Sequence, residues 1–164
     1  MSETTLKGAI AEAAITAVAV ELGIFVLRPM VEGRRYDLVF DIDHRLYRVQ
    51  CKWAPRRGAV IQVNLDTCRH TPGGYVFTTY SRDEIDAVAV YCQELKRCYW
   101  LPIDLVEGKR GMYLRLQPAA NNQEAAINYA AEYEFGAIAQ LGERLAGSQK
   151  VVGSSPTSST SRPS

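Results

Sequence analysis

The sequence predicts one α/β domain in which an N-terminal helix precedes a series of β-strands. Three observations support this. The chain has 164 residues, 47% of them hydrophobic, which suits one compact domain with a core. An Ala-rich segment carries capping residues at its start and a glycine at its end, as helices do. Short segments that alternate apolar and polar residues follow it, and this alternation is typical of strands.

The N-terminal helix is expected to begin after Thr4 or Thr5 and to run to about Leu22, where Gly23 stops it. Glu12 is the one acid in its middle. The apolar side of the helix is expected to carry Ile10, Ala14, Ala17 and Val18. Glu12 is either an exposed surface residue or part of a site beneath the helix.

Strands are predicted over residues 24–28, 36–41, 45–54, 59–65, 85–92, 98–102 and 113–116. Asp43 and His44 are expected to form a turn. Residues 66–83 are expected to be irregular, because Thr-Pro-Gly-Gly at 71–74 breaks regular structure. A second helix is predicted over residues 123–133.

The third strand and the residue that opens the second predict a site. Side chains two apart in a strand share a face, so Gln50 and Lys52 point the same way and Cys51 points opposite. Asp37 opens the neighbouring strand. An acid, a second oxygen donor and a lysine are what metal-dependent phosphodiester cleavage needs. The pattern is loose, however, and Asp37 is equally able to begin a strand while Lys52 serves as a solvated edge residue.

Three oxygen donors are therefore candidate ligands for a hard cation such as Mg²⁺: Glu12, Asp37 and Gln50. Gln50 supplies a neutral oxygen where an acid is usual. This substitution lowers the negative charge of the site and is expected to weaken metal binding.

The net charge of +1 means that any DNA-binding surface has to be a local patch. Polar side chains on strands and loops can contact phosphates or base edges. The candidate DNA-binding residues are Arg34, Arg35, Arg56, Arg57, Gln62 and Asn64. The alternative interpretation is that they are solvated arginines and strand-edge polar residues.

The remaining composition favours a cytoplasmic protein without a membrane partner. None of the four cysteines lies in a CxxC pair, so we expect reduced thiols. The apolar stretch from Ala9 to Val20 is interrupted by Glu12 and is too short to span a bilayer.

Several separated motifs, in order, carry a family resemblance over roughly residues 5 to 134. They are Lys7-Gly8-x-Ile10-Ala11-Glu12-Ala13, Glu21-Leu22-Gly23, Tyr36-Asp37-Leu38-Val39, Arg48-Val49-Gln50-Cys51-Lys52, Ile85 to Tyr91, Pro102-Ile103-Asp104, Leu114-Arg115-Leu116 and Asn122-Gln123. With these motifs the chain resembles the PD-(D/E)xK nuclease superfamily. It most resembles the homing endonuclease branch associated with group I introns in transfer RNA genes.

The resemblance implies a restriction-endonuclease-like core, with a mixed β-sheet flanked by helices, that acts on double-stranded DNA with Mg²⁺. It assigns Glu12, Asp37, Gln50 and Lys52 to the active site. It also implies a homodimer or homotetramer, since cutting both strands takes two active sites. Three features depart from the pattern: Tyr36 replaces a proline, Gln50 replaces an acid, and no long helix follows the fourth strand.

Two alternatives to a homing-type endonuclease stay open. The first is a junction-resolving nuclease that uses the same chemistry on branched DNA. The second is a DNA-binding module with a decayed site, which the amide of Gln50 favours and the intact trio of Glu12, Asp37 and Lys52 opposes.

The predicted nuclease domain covers residues 1–135, and residues 136–164 form a low-complexity tail that is expected to be disordered. Residues 139–144 and 152–156 can be encoded by transfer RNA gene sequence of the D-arm and T-arm. The hypothesis is that the reading frame runs into a transfer RNA gene. The alternative is an ordinary Ser/Thr-rich tail.

Overall fold

The computed structural model describes residues 2–31, 33–117 and 127–137. Within them the chain forms one long helix, one short helix, ten strands and two short 3-10 helices. In chain order the elements are α1 (Glu3–Glu21), β1 (Phe25–Leu27), β2 (Leu38–Ile42), β3 (Arg45–Trp53), β4 (Arg56–Arg57), β5 (Val60–Asn64), β6 (Thr67–Thr71), β7 (Gly74–Thr78), β8 (Ala87–Cys92), β9 (Arg97–Pro102), α2 (Ile103–Val106), β10 (Gly111–Arg115) and the 3-10 helices Ala130–Tyr133 and Phe135–Ala137.

The main sheet has five strands in the order β1-β2-β3-β8-β9. Strands β3 and β8 are parallel, and the other neighbouring pairs are antiparallel. This mixed sheet with a helix against it confirms the predicted fold class. Two smaller sheets, β10-β5-β4 and the β6-β7 hairpin, complete the described fold.

The turn between β2 and β3 brings the predicted site residues onto adjacent strands. Asp43 and His44 both have positive φ, 51° and 65°, as a two-residue type I′ hairpin turn requires. Short polar residues tolerate this conformation better than bulky ones. The predicted turn is confirmed, and the register it sets pairs Leu38 with Val49.

Helix α1 begins earlier than predicted. Its N-cap is Ser2, whose Oγ accepts a hydrogen bond from the Thr5 amide at 3.2 Å, so Thr4 and Thr5 lie inside the first turn. It ends as predicted at Gly23, which has a φ of +78°. The predicted apolar face was partly wrong: Val18 packs against the core, but Ala17 is exposed and the fully buried residues are Ala11, Ile15 and Ala19. The helix is rich in alanine on all sides, so hydrophobicity alone does not distinguish the face that packs on the sheet.

The main sheet has a hydrophobic core on each face. On one side, α1 packs over Phe40, Val49 and Trp100. On the other side, the β10-β5-β4 sheet packs over Val88 and Tyr99. Strand β8 is almost wholly apolar, since both of its faces are covered.

Two predictions about secondary structure were wrong, and two short elements were missed. Residues 67–78, expected to be irregular, form the β6-β7 hairpin. The predicted helix 123–133 is absent over its described part, where Tyr129 bridges to Arg115 and only a 3-10 turn follows; residues 118–126 lie outside the described residues. The short elements β4 and α2 were not predicted.

As the sequence indicated, no long helix follows the fourth predicted strand, because the chain between β5 and β8 folds as the hairpin. No helix in the described ranges is long and apolar enough to cross a membrane. All four cysteines are free thiols. The predicted tail falls almost wholly on residues 138–164, which lie outside the described residues.

Candidate active site

Asp37 lies immediately before β2, where its amide donates to the carbonyl of Val49 in β3 at 2.9 Å. This bond turns the aspartate toward the face of β3 that carries the polar residues. Its Oδ2 accepts hydrogen bonds from Nε2 of Gln50 at 2.5 Å and from the amide of Cys51 at 2.8 Å. In the described part of the chain, no donor reaches the other carboxylate oxygen, Oδ1.

Gln50 and Lys52 share one face of β3, as the alternation predicts, and the buried Cys51 faces the core. Nζ of Lys52 lies 5.4 Å from the ring centroid of Tyr80. Its one hydrogen bond to a described residue is a long contact of 3.4 Å with the carbonyl oxygen of Asp66. The ammonium group is therefore close to Asp37 without pairing with it directly.

Glu12 reaches the site from α1. Ala11 packs against the sheet, and the next residue along the helix lies at the edge of that contact. The carboxylate of Glu12 lies 3.4 Å from the guanidinium of Arg28. Glu12 and Asp37 line the same surface depression, together with Arg28 and Arg34.

Burial dominates the electrostatics of the site. It raises the pKa of Asp37, and the nearby charge of Glu12 raises it further, against the opposing effects of the Cys51 amide, Lys52 and Gln50. Burial lowers the pKa of Lys52, although Asp37 and Asp66 oppose this. The site thus holds negative charge that is poorly solvated, a situation that a bound cation relieves.

The chemistry of the donors fits one hard cation. Within the residues placed by the structure, no group of three or more His, Cys, Asp or Glu side chains is arranged to hold a metal. The available set is two carboxylates, Glu12 and Asp37, and the side-chain amide of Gln50. All three offer oxygen, as Mg²⁺ or Ca²⁺ prefer. Gln50 now turns its nitrogen toward Asp37, so ligation requires it to offer Oε1 instead.

A groove of about 700 Å³ opens beside Asp37 and Gln50. Its walls come from the loop before β2, from β3, from the β6-β7 hairpin and from the segment that follows the hairpin. The lining residues are Gly33, Arg34, Arg35, Asp37, Gln50, Thr67, Cys68, Thr71, Val76, Thr78, Tyr80 and Glu84.

Comparison with known proteins identifies the architecture. A sequence profile described as PD-(D/E)XK endonuclease matches residues 2–136. The chain belongs to the PD-(D/E)XK endonuclease family. It is also similar to the solved structure of a bacterial homing endonuclease, I-Ssp6803I, with 24% sequence identity and a TM-score of 0.70 over 92% of this chain and 100% of that one. No curated protein matches the chain.

Membership of this endonuclease family supports nuclease activity, and the solved homing endonuclease shares the fold. The four residues predicted for the active site, Glu12, Asp37, Gln50 and Lys52, lie close together where β2 and β3 adjoin. Their chemical roles stay predictions.

The predicted DNA-binding residues fall into two groups. Arg34 and Arg35 line the groove. The other four lie on the small β10-β5-β4 sheet, where Gln62 and Asn64 are exposed on one face of β5. Asp66 joins the second group to the active site, because its amide donates to Oδ1 of Asn64 at 3.0 Å and its carbonyl accepts from Lys52.

Sequence reasoning missed two parts of the groove. The β6-β7 hairpin carried a usable signal, since β-formers such as Thr67, Val76 and Thr78 flank a Pro-Gly-Gly turn. Gly74, with a φ of +113°, closes that turn. Tyr80 carried no local signal, because only tertiary packing places it under Lys52.

Proposed function

We propose that this protein is a Mg²⁺-dependent endonuclease that hydrolyses phosphodiester bonds in double-stranded DNA, of the homing or mobile-element type. The observation that carries the proposal is the meeting of Asp37, Gln50 and Lys52 beside an open groove, with Glu12 supplied by α1. Family membership supports a nuclease, and the similarity to the homing endonuclease I-Ssp6803I supports the type.

Asp37, Glu12 and Gln50 would hold the cation. When bound, Mg²⁺ supplies activation of the attacking water and neutralises charge that develops on the phosphate. The amide of Cys51 donates to Oδ2 of Asp37, and this bond remains to position the aspartate when Gln50 turns Oε1 toward the cation. Lys52 carries its positive charge on the same face of β3 and would orient the nucleophile or stabilise the phosphate charge.

The carboxylate of Glu12 has a second part in this proposal. Its ion pair with Arg28 has both side chains partly exposed and therefore costs little to rearrange. Glu12 is then able to turn toward Asp37 when a cation enters. Arg28 is released to face the DNA phosphates at the mouth of the site.

Arg34 is exposed at the groove and is the proposed phosphate contact nearest the site. The exposed face of β5 is the proposed reader of base edges, with Gln62 as its central residue. Tyr113 is directly opposite Gln62 in β10 and is 59% exposed, so it enlarges this face. Arg56 and Arg57 lie on the adjoining edge strand.

Cutting both DNA strands requires two active sites, so we propose a homodimer or homotetramer that works on DNA in the cytoplasm. The nuclease domain in this proposal covers residues 1–135. We also propose that the codons of residues 136–164 are read from a transfer RNA gene. Sequencing the locus tests the last point, and the absence of a transfer RNA gene over these codons would refute it.

Cleavage of a plasmid that carries the native locus, with the neighbouring transfer RNA gene in intron-minus form, tests the function. Discrete linear products in Mg²⁺ that vanish in EDTA are expected, and end mapping gives the target. A gel shift without cleavage would favour a decayed binding module. Cleavage of a four-way junction in preference to any linear duplex would favour a resolving nuclease.

A further inference from the structure

Tyr80 lies beneath the catalytic candidate Lys52 and contacts a second cation as well. The guanidinium of Arg35 is 4.7 Å from the ring centroid, and Nζ of Lys52 is 5.4 Å from it. Both distances are within the range of cation–π attraction. Tyr80 is 1% exposed, so neither contact is weakened by water around the ring.

The hydroxyl of Tyr80 takes no part in these contacts with Arg35 and Lys52. It is buried and has no hydrogen-bond partner in the described part of the chain. A buried hydroxyl without a partner is costly. The aromatic ring, rather than the hydroxyl, is therefore the useful part of the residue.

Arg35 is fixed by the hairpin. Its guanidinium donates to Oγ1 of Thr67 at 2.7 Å, to Oγ1 of Thr78 at 3.0 Å and to the carbonyl of Thr79 at 2.9 Å. Its Nε also lies 3.4 Å from the carboxylate of Glu84. These contacts engage the planar donor group on several sides. They join the loop before β2 to the base of the β6-β7 hairpin.

Lys52, by contrast, has little that holds it directly. Its long contact with Asp66 is weak by geometry, and a lysine stem has about 2 kcal/mol of rotamer entropy. A reacting group that is displaced by about 1 Å can lose about 100-fold in rate. An interaction other than hydrogen bonding therefore has to hold the ammonium of Lys52, and the cation–π contact with the ring of Tyr80 is such an interaction.

We propose that Arg35 and Tyr80 are positioning residues: the hairpin fixes Arg35, Arg35 fixes the ring of Tyr80, and the ring holds the ammonium of Lys52 at the groove. The inference rests on the proposed function, because Lys52 is the group being positioned. In this inference Arg35 positions Tyr80 and does not contact DNA, whereas the exposed Arg34 remains the proposed phosphate contact.

Single-turnover cleavage of the mapped plasmid site, with protein in excess and Mg²⁺ present, tests the ring. Tyr80→Phe should cleave within about twofold of wild type, because the ring remains. Tyr80→Leu should lower the rate constant about 10- to 100-fold with DNA affinity unchanged. The matched control is Tyr99→Leu, which truncates another buried tyrosine in the same core. It should lose stability while its rate constant stays near wild type.

A rate constant for Tyr80→Leu within threefold of wild type would overturn the inference, as would an equal loss in Tyr99→Leu. If Tyr80→Leu does not fold, Arg35→Gln decides the matter. It should lower the rate about 10-fold and leave the salt dependence of DNA binding unchanged. A direct phosphate contact would instead weaken binding and reduce the slope of log K against log salt by about 0.9.

The double variant Arg35→Gln/Tyr80→Leu completes the test. If both residues act through Lys52, the double variant should be no slower than the slower single variant. Multiplying losses would mean independent actions and would contradict the inference. A wild-type protein that cuts no DNA in Mg²⁺ defeats the proposed function itself, whereas active wild type with unaffected variants defeats the positioning role alone.

Discussion

The exchange Asp37→Asn removes one charge from the site and leaves the size of the side chain unchanged. The folded state favours the neutral form of Asp37, since burial and Glu12 raise its pKa. In EDTA at neutral pH the variant is therefore expected to be at least as stable as wild type. Each unit of a pKa shift corresponds to about 1.4 kcal/mol.

The pH dependence has a definite sign. Asp37 binds its proton more tightly in the folded than in the unfolded protein, so folding stability falls as pH rises from the unfolded pKa to the folded one. The side-chain amide of the variant has no such proton to lose. The free energy of unfolding of the variant minus that of wild type should thus grow through this acid range and then level off.

Magnesium should reverse the order of stability. At 100 times its Kd, a ligand that binds only the folded state stabilises it by about 2.7 kcal/mol. Mutation of a residue that only hydrogen-bonds to a metal ligand can weaken metal binding by up to about 100-fold, and Asp37→Asn changes a proposed ligand itself. A loss of that size leaves the variant a gain of about 0.4 kcal/mol at the same concentration.

Urea unfolding followed by tryptophan fluorescence, with Mg²⁺ or EDTA, measures both effects, and the buried Trp100 is a suitable probe. Asp43→Asn is the matched control, because it removes an exposed charge from a turn whose φ of 51° asparagine also tolerates. Equal stabilisation of Asp37→Asn and wild type by Mg²⁺ would refute the ligand assignment. Failure of Mg²⁺ to stabilise the wild-type protein would also refute the ligand assignment.

Three further outcomes are expected. Gln50→Glu adds a carboxylate beside Asp37, so it should retain cleavage and need about 10-fold less Mg²⁺; a higher requirement in a Mg²⁺ titration would contradict this. Asp86 accepts bonds from the backbone and side chain of Arg48 at 2.7 and 3.0 Å, so Asp86→Asn should lose about 1.5–3 kcal/mol at pH 7. Burial raises the pKa of Asp86, but the bonds from Arg48 outweigh burial and lower it. The loss of folding stability in Asp86→Asn should therefore shrink as pH falls through the folded pKa, and urea unfolding at several pH values measures it. Gln62→Ala should relax base preference at one position by about 1–3 kcal/mol, which cleavage of a randomised site library measures.

The parts of the fold that the sequence predicts are those set by local patterns. Alternation in β3 places Gln50 and Lys52 on one face, and a two-residue turn brings β2 against β3. Asp37 and Gln50 therefore meet through short-range structure alone. The family motifs over the same residues indicated the mixed sheet, which no local pattern specifies.

What the sequence did not predict depends on tertiary contacts. The β6-β7 hairpin has β-forming residues on both sides of its turn but little hydrophobic alternation, and its base is held by Arg35, which lies outside it. The helical propensity of residues 127–133 gives way to a bridge between Tyr129 and Arg115. Tyr80 meets Lys52 only because the chain returns beneath β3, and no spacing in the sequence indicates that.

Cleavage by Lys52→Ala, measured beside DNA binding by the same preparation, tests the central claim most directly. Lys7→Ala is the control, because it removes a lysine charge on the exposed surface of α1. The account predicts that Lys52→Ala binds the plasmid site as wild type does and leaves it uncut in Mg²⁺, while Lys7→Ala cuts normally. Undiminished cutting by Lys52→Ala would contradict it.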